Sequence, residues 1–285
     1  MFKAYYQLTK PGIIYGNALT ALAGFFLASK GRVDWALFLS MLVGISLVIG
    51  SACVCNNYID RDIDTKMERT KKRALVTNAI PAFSALLFGI ILGLLGFIVL
   101  VLHTNTLTAL LAFIGFFTYI ALYTPIKRYS VHGTLVGAIA GAVPIVVGYC
   151  SVTNTFNLGA WLLFIIICAW QMPHFYAIAL SRFVDYTAAN VAVLPVKKGV
   201  PITKIQILFY VIIFTIVTTL LTLFHYASYT YLVIMTLLNL AWLVFSIQGF
   251  AKNNNYTLWG RKMFLFSLII ITTFSITLSI NSFLK

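Results

Sequence analysis

Five of the chain's six acidic residues fall in two short stretches: Asp60, Asp62, Asp64 and Glu68 in NNYIDRDIDTKMERTKKR, and Asp185 in SRFVDYTAANVAVLP. Carboxylates are nearly absent elsewhere, so chemistry is expected at these two places. The first stretch also carries six cations, Arg61, Lys66, Arg69, Lys71, Lys72 and Arg73. Acids spaced by four residues and followed at once by arginines suit a divalent metal holding a phosphate-rich substrate. The carboxylates bind the metal, and the cations meet the remaining phosphate charge. Asn56, Asp60 and Asp64 stand at i, i+4 and i+8, and because a helix turns about 100° per residue they drift only about 80° around its surface. All three are oxygen donors of the kind Mg²⁺ takes, one or two carboxylates beside substrate phosphates and water. The competing interpretation is a solvated helix end whose acids pair with neighbouring cations. Asp62 lies off the shared face and Glu68 is within reach of Lys71 or Lys72; both are assigned structural roles.

The elements that must position these residues are membrane spans. With 285 residues, 61% of them hydrophobic, 9% charged and a mean hydropathy of +0.97, the chain lacks the charged quarter of a soluble domain. Apolar runs near the ~20 residues that cross a bilayer occur at roughly 11–29, 35–58, 79–102, 107–124, 133–152, 159–181, 205–225, 229–250 and 263–283. The predicted fold is an all-α integral membrane protein of nine transmembrane helices around a central cavity. No run has Lys, Arg, Asp or Glu in its interior, which argues against a buried ion pathway and so against the alternative class of a secondary transporter. Taking the N-terminus and alternate loops, the cations are Lys3 and Lys10, the six of the first acidic stretch, Lys127 and Arg128, Arg182, Lys197, Lys198 and Lys204, then Lys252, Arg261 and Lys262. These are 17 of 20, with Lys30, Arg32 and Lys285 on the other side. The positive-inside rule therefore puts the N-terminus and both acidic loops in the cytoplasm and the C-terminus across the membrane. The net charge of +14 is a topology signal, and no polybasic tail or basic helix with interleaved aromatics points to nucleic acid. MFKAYYQLTKPG is too short and polar for a cleavable signal. Cys53, Cys55, Cys150 and Cys168 lack zinc or disulfide spacing and are assigned to packing.

No linker interrupts residues 1–285, so one domain is expected. The second span ends in the first acidic stretch and the sixth in the second. That spacing suggests two parallel four-helix copies, about 11–130 and 131–252, with a ninth helix added.

The pattern N-x-x-x-D-x-x-x-D followed by R-T-x-x-R resembles the UbiA superfamily of intramembrane prenyltransferases. Tyr123 and Lys127 in YTPIKR resemble its Y-x-x-x-K element, whose lysine contacts diphosphate; taken alone, a Tyr and Lys at a span end would be interfacial anchors. TKPGIIYGN, WQMPHFYAIA and DYTAANVAVLPVKKG are similar to the branch of that superfamily that farnesylates haem, and the resemblance covers nearly the whole chain. It implies a UbiA-like fold in a bacterial inner membrane, Mg²⁺ as cofactor, and farnesyl diphosphate, haem b and water as substrates. Haem O and diphosphate are the implied products, with a haem A synthase or terminal oxidase as recipient. Carried over by position, it implies metal ligands at Asn56, Asp60, Asp64 and Asp185 and catalytic roles for Asp60, Asp64, Tyr123, Lys127 and Asp185. It also implies diphosphate contacts from Lys66, Arg69, Arg73, Lys127, Arg182, Asn190 and Lys197. The second loop departs from the family's D-x-x-x-D, with Ser181 before Asp185 and Ala189 after it. That loop either binds its own metal or positions the diphosphate. Trp170, Gln171 and His174 stand at i, i+1 and i+4 with Pro173 predicted to kink the helix. Alone they would be packing residues; with the family they line the haem pocket, His174 meeting iron or a propionate. The 15% Phe, Tyr and Trp could shield an allylic cation by cation–π contact. The alternative acceptors are an aromatic quinone precursor or a chlorin.

Overall fold

The computed structural model describes residues 1–251 and 255–283, so Lys252 and Lys285 of the cation pattern lie outside the described residues. Among the described residues nine helices are long and apolar enough to cross a membrane. They are α1 (Pro11–Ser29), α2 (Trp35–Ile59), α3 (Ala82–His103), α4 (Thr106–Tyr129), α5 (Gly133–Thr153), α6 (Leu158–Ser181), α7 (Val200–Leu223), α8 (Tyr229–Gln248) and α9 (Tyr256–Asn281). Helices dominate because lipid offers no partners for backbone polar groups. Five spans start at a side-chain cap: Asp34, Asn105, Asn157, Ser228 and Asn255 each accept from a backbone N–H of the first turn, which satisfies a donor the helix itself leaves open.

Two spans begin earlier than their apolar runs, α7 at Val200 instead of 205 and α9 at Tyr256 instead of 263. Helical hydrogen bonding continues past the apolar stretch into a cation-bearing end, where Lys204 Nζ lies 5.9 Å from the Trp259 ring centre. α6 runs through Pro173 as one helix, so the expected kink does not break it. α4 has a π segment, Thr118–Tyr123, between two α-helical portions.

α5 and α6 are the most buried spans. α5 packs on α1, α2, α4 and α6, while α6 also packs on α7 and α9, and α9 closes back onto α1. The closest crossing is α1 on α5. A Cβ on Gly24 would lie 2.0 Å from the Ile145 carbonyl oxygen, and one on Gly148 would lie 1.9 Å from that of Ala21. Two glycines, one from each helix, thus let the backbones touch, the small-residue packing that membrane helices rely on. At one end of the bundle the α2–α3 and α6–α7 connections meet, with buried Met67 packed against Ala189 and Val191. At the other, Gly31 N donates to Ser282 Oγ at 2.8 Å, tying the α1–α2 turn to the end of α9.

Candidate active site

The first acidic stretch is not one continuous helix. α2 ends at Ile59, Asp60 forms the junction, and Arg61–Asp64 makes a separate short helix. Asp60 N still donates to Asn56 O, and Asp64 N to Asp60 O, each at 2.9 Å, so the four-residue pitch survives the break. Asn56, Asp60 and Asp64 all line one polar cavity of about 1000 Å³, although they are only 2–3% exposed. Burying such groups is costly unless they are paired, and each is. Lys10 Nζ donates to Asn56 Oδ1, Lys127 Nζ to Asp60, and Arg73 to Asp64 at 2.6 Å. Arg128 reaches Asp60 at 3.4 Å and grips Asp62 with two N–H bonds of 2.8 and 2.9 Å, which hold the Asp62 carboxyl below the usual carboxylate range. Glu68 pairs with Lys71. Asp62 and Glu68 therefore take the structural roles expected of them.

Arg69 and Lys72 also line this cavity, and among the described residues neither pairs with a carboxylate. Lys10 and Asn57 had no assigned role. Lys10 sits immediately before Pro11 in a left-handed conformation, φ 52°, and part of its side chain opens to the cavity. The protein packed around its ammonium pushes it down to about 8, with the nearby Asp60 charge opposing that shift. Asn57 accepts from Arg73 at 3.1 Å and donates to Leu8 O at 2.9 Å, fastening the segment before α1 to the site. Nothing local marks these two; each partner lies far along the chain.

The second acidic loop differs from expectation. The short helix Phe183–Ala188 turns Tyr186 to the cavity wall, with Val191 beside it. Asp185 lies one residue away, about 100° around a helix, and is not on that wall. Lys66, Arg182, Asn190 and Lys197 are exposed and also off the wall. None of these five residues lines the wall of this cavity.

A second, mostly apolar cavity of about 370 Å³ extends into the bundle. Trp170, Gln171 and His174 line it together. Trp170 and His174 stack at 4.7 Å and 28°, and both bond Ser267 on α9, Trp170 Nε1 to its carbonyl at 2.8 Å and His174 Nδ1 to its hydroxyl at 2.7 Å. That hydroxyl donates to Phe264 O at 2.6 Å. Gln171 donates to Ala138 O at 3.1 Å.

The two cavities share Gly12, Ile13, Tyr119 and Tyr123. The tyrosine rings stack at 5.2 Å and 30°, and Lys127 Nζ stands 5.1 Å from the Tyr123 ring centre. The π segment explains this alignment, since its wider turn brings residues four apart more nearly into line than an α-helix does; π turns recur at functional sites. Tyr123 was expected here. Tyr119 was missed, because one more aromatic in an apolar run looks like any other.

As a donor set, Asn56, Asp60 and Asp64 fit a hard divalent cation. Among the described residues no three His, Cys, Asp or Glu side chains gather around one point. Two carboxylates and an amide leave coordination positions for phosphate oxygens and water, the regime Mg²⁺ prefers.

The UbiA prenyltransferase family matches residues 17–268. The chain belongs to the UbiA prenyltransferase family. It is therefore a prenyltransferase. It is 50% identical over 282 residues to a protoheme IX farnesyltransferase of Serratia proteamaculans, covering 99% of this chain and 95% of that one. A protoheme IX farnesyltransferase of Sodalis glossinidius is 48% identical with the same coverage. Among solved structures, a digeranylgeranylglyceryl phosphate synthase superposes with a TM-score of 0.82 at 17% identity, covering 100% of this chain and 99% of that one. A UbiA homologue of Archaeoglobus fulgidus bound to DMAPP and Mg²⁺ gives 0.74 at 16% identity, covering 96% and 98%. The UbiA fold is thus shared across wide sequence divergence.

Proposed function

We propose that this chain transfers the farnesyl group of farnesyl diphosphate to a vinyl group of haem b, with addition of water, giving haem O and diphosphate. The observation that carries it is the junction at Tyr119 and Tyr123, where a cavity walled by acids and cations opens into an apolar one lined by Trp170, Gln171 and His174. A diphosphate suits the first chamber and apolar groups suit the second. The bond between C1 of the farnesyl group and the diphosphate oxygen breaks at the junction. C1 joins the terminal vinyl carbon, water oxygen adds to the inner one, and one proton is released. Half-identity over nearly the full length of proteins named protoheme IX farnesyltransferase supports haem as the acceptor over a quinone precursor or chlorin.

Asn56, Asp60 and Asp64 would hold Mg²⁺, which when bound neutralises charge on the departing diphosphate. Arg69 and Lys72, which pair with no carboxylate among the described residues, take phosphate charge from preset positions, where little reorganisation is needed, and Arg73 and Lys127 add theirs. The tyrosine faces stabilise the allylic cation, and the apolar chamber keeps bulk water away from it. His174 would meet haem iron through a ring-nitrogen lone pair or a propionate through a ring N–H. Half-identity to relatives from bacteria supports a bacterial inner membrane, and the cation distribution supports an orientation with the N-terminus and both acidic connections cytoplasmic and the C-terminus across. The whole chain acts as one catalytic unit, with two four-helix copies and α9.

The test is an acceptor panel. Purified protein in lipid nanodiscs receives labelled farnesyl diphosphate with haem b, an aromatic quinone precursor or a chlorin. Label should pass to haem b alone; transfer to another acceptor in preference would overturn the assignment.

A further inference from the structure

Asn56, Asp60 and Asp64 each bond a cation from a different element, with Asp60 taking a second, longer contact of 3.4 Å from Arg128. Lys10 precedes α1 and holds Asn56, Lys127 ends α4 and holds Asp60, and Arg73 in the α2–α3 connection holds Asp64. These cations are also placed to take phosphate oxygens, and they cannot serve both partners at full strength. Among the described residues the wall has two carboxylates, Asp60 and Asp64, against Lys3, Lys10, Arg69, Lys72, Arg73 and Lys127. A divalent cation arriving alone would displace three cations and add its charge to a wall already in positive excess. Arriving with a diphosphate, it brings the anion that those cations move to. We propose that Lys10, Lys127 and Arg73 are exchangeable cationic partners that pass from the metal donors, the neutral Asn56 amide and the Asp60 and Asp64 carboxylates, to the diphosphate, so that the divalent cation enters together with the diphosphate and not before it.

This inference rests on the metal–diphosphate reading of the wall, and it assigns Lys10 a positioning role. It has an unusual consequence. Removing a cationic partner frees a donor, so metal binding without diphosphate becomes tighter, while a residue acting only as scaffold would give the opposite or no change.

The experiment is equilibrium dialysis of Mn²⁺ against the full chain in nanodiscs, with and without inorganic pyrophosphate, corrected by protein-free controls. Pyrophosphate should tighten Mn²⁺ binding by about ten-fold, within the usual range of site-to-site coupling. Lys10→Met and Lys127→Met should each bind Mn²⁺ alone more tightly than the parent and lose most of the coupling, with Lys10→Arg behaving like the parent. Thermal unfolding of each sample in the same nanodiscs identifies any variant that has not folded, and the other variant then decides. Equal Mn²⁺ affinity of the parent with and without pyrophosphate would overturn the exchange while leaving the metal site standing. So would folded variants that bind Mn²⁺ alone no better than the parent. If Asp60→Ala binds Mn²⁺ with pyrophosphate as well as the parent does, the reading of the wall fails and the exchange fails with it.

Discussion

At the scale of the residue, the site divides into a charged chamber and an apolar one, and substitutions should separate the two. Asp60→Ala and Asp64→Ala should each lower turnover by about 100-fold or more, the cost of losing one preset group at developing charge, while the protein remains inserted. Near-native turnover at saturating Mg²⁺ would remove that residue from the metal site. Two substrates should give two separable defects. His174→Ala is expected to weaken haem binding, followed by the haem absorption band, and to leave binding of labelled farnesyl diphosphate intact; Arg69→Ala is expected to do the reverse. At the junction, Tyr119→Phe should keep most activity and Tyr119→Leu should lose about ten-fold, because the aromatic face and not the hydroxyl carries the cation–π contribution of about 1–2 kcal/mol. Equal kinetics for the two would place Tyr119 outside the reaction. The sequence revealed Asn56, Asp60 and Asp64 because oxygen donors at four-residue spacing stand out in a chain with six acids. It hid Lys10, which is 46 positions from its partner Asn56. It did not show that Tyr186 and not Asp185 lines the cavity wall, since spacing alone does not say which face of a short helix turns inward.

At the scale of the element, the nine spans were legible because about 20 apolar residues in a row have few other fates. Their ends were less so, since the cation-bearing opening turns of α7 and α9 interrupt the apolar run yet remain helical. The π segment of α4 was invisible, because it depends on how α4 meets α5 and α2 rather than on local composition. The α1–α5 crossing gives a test at this scale. Gly148→Val would drive side-chain atoms into the Ala21 carbonyl, so the helices must separate. Thermal unfolding in detergent should show a loss of at least the ~1–3 kcal/mol typical of overpacking. An unchanged midpoint would mean that the crossing is looser than the backbone approach implies.

At the scale of the whole molecule, every connection that builds the charged chamber gathers at one end of the bundle, and the cation-poor turns gather at the other. Single cysteines at Lys71 and Lys197 should therefore react with an impermeant maleimide from the cytoplasmic side only, and those at Asn154 and Tyr229 from the opposite side only; all four positions are exposed. Labelling of Asn154 from the cytoplasm would invalidate the orientation. On the proposed assignment, such an arrangement would keep the diphosphate at the aqueous surface while farnesyl chain and haem, both lipophilic, meet inside the bundle. The central claim is that these two meet covalently. The most direct measurement is to express the chain in a bacterial host that makes haem b but no farnesylated haem, extract the haems and determine their masses. The expected result is a haem b derivative enlarged by one hydroxyethylfarnesyl group, present with the parent chain and absent with Asp60→Ala. Haem b alone, recovered from membranes in which the parent chain is inserted and farnesyl diphosphate is abundant, would contradict it.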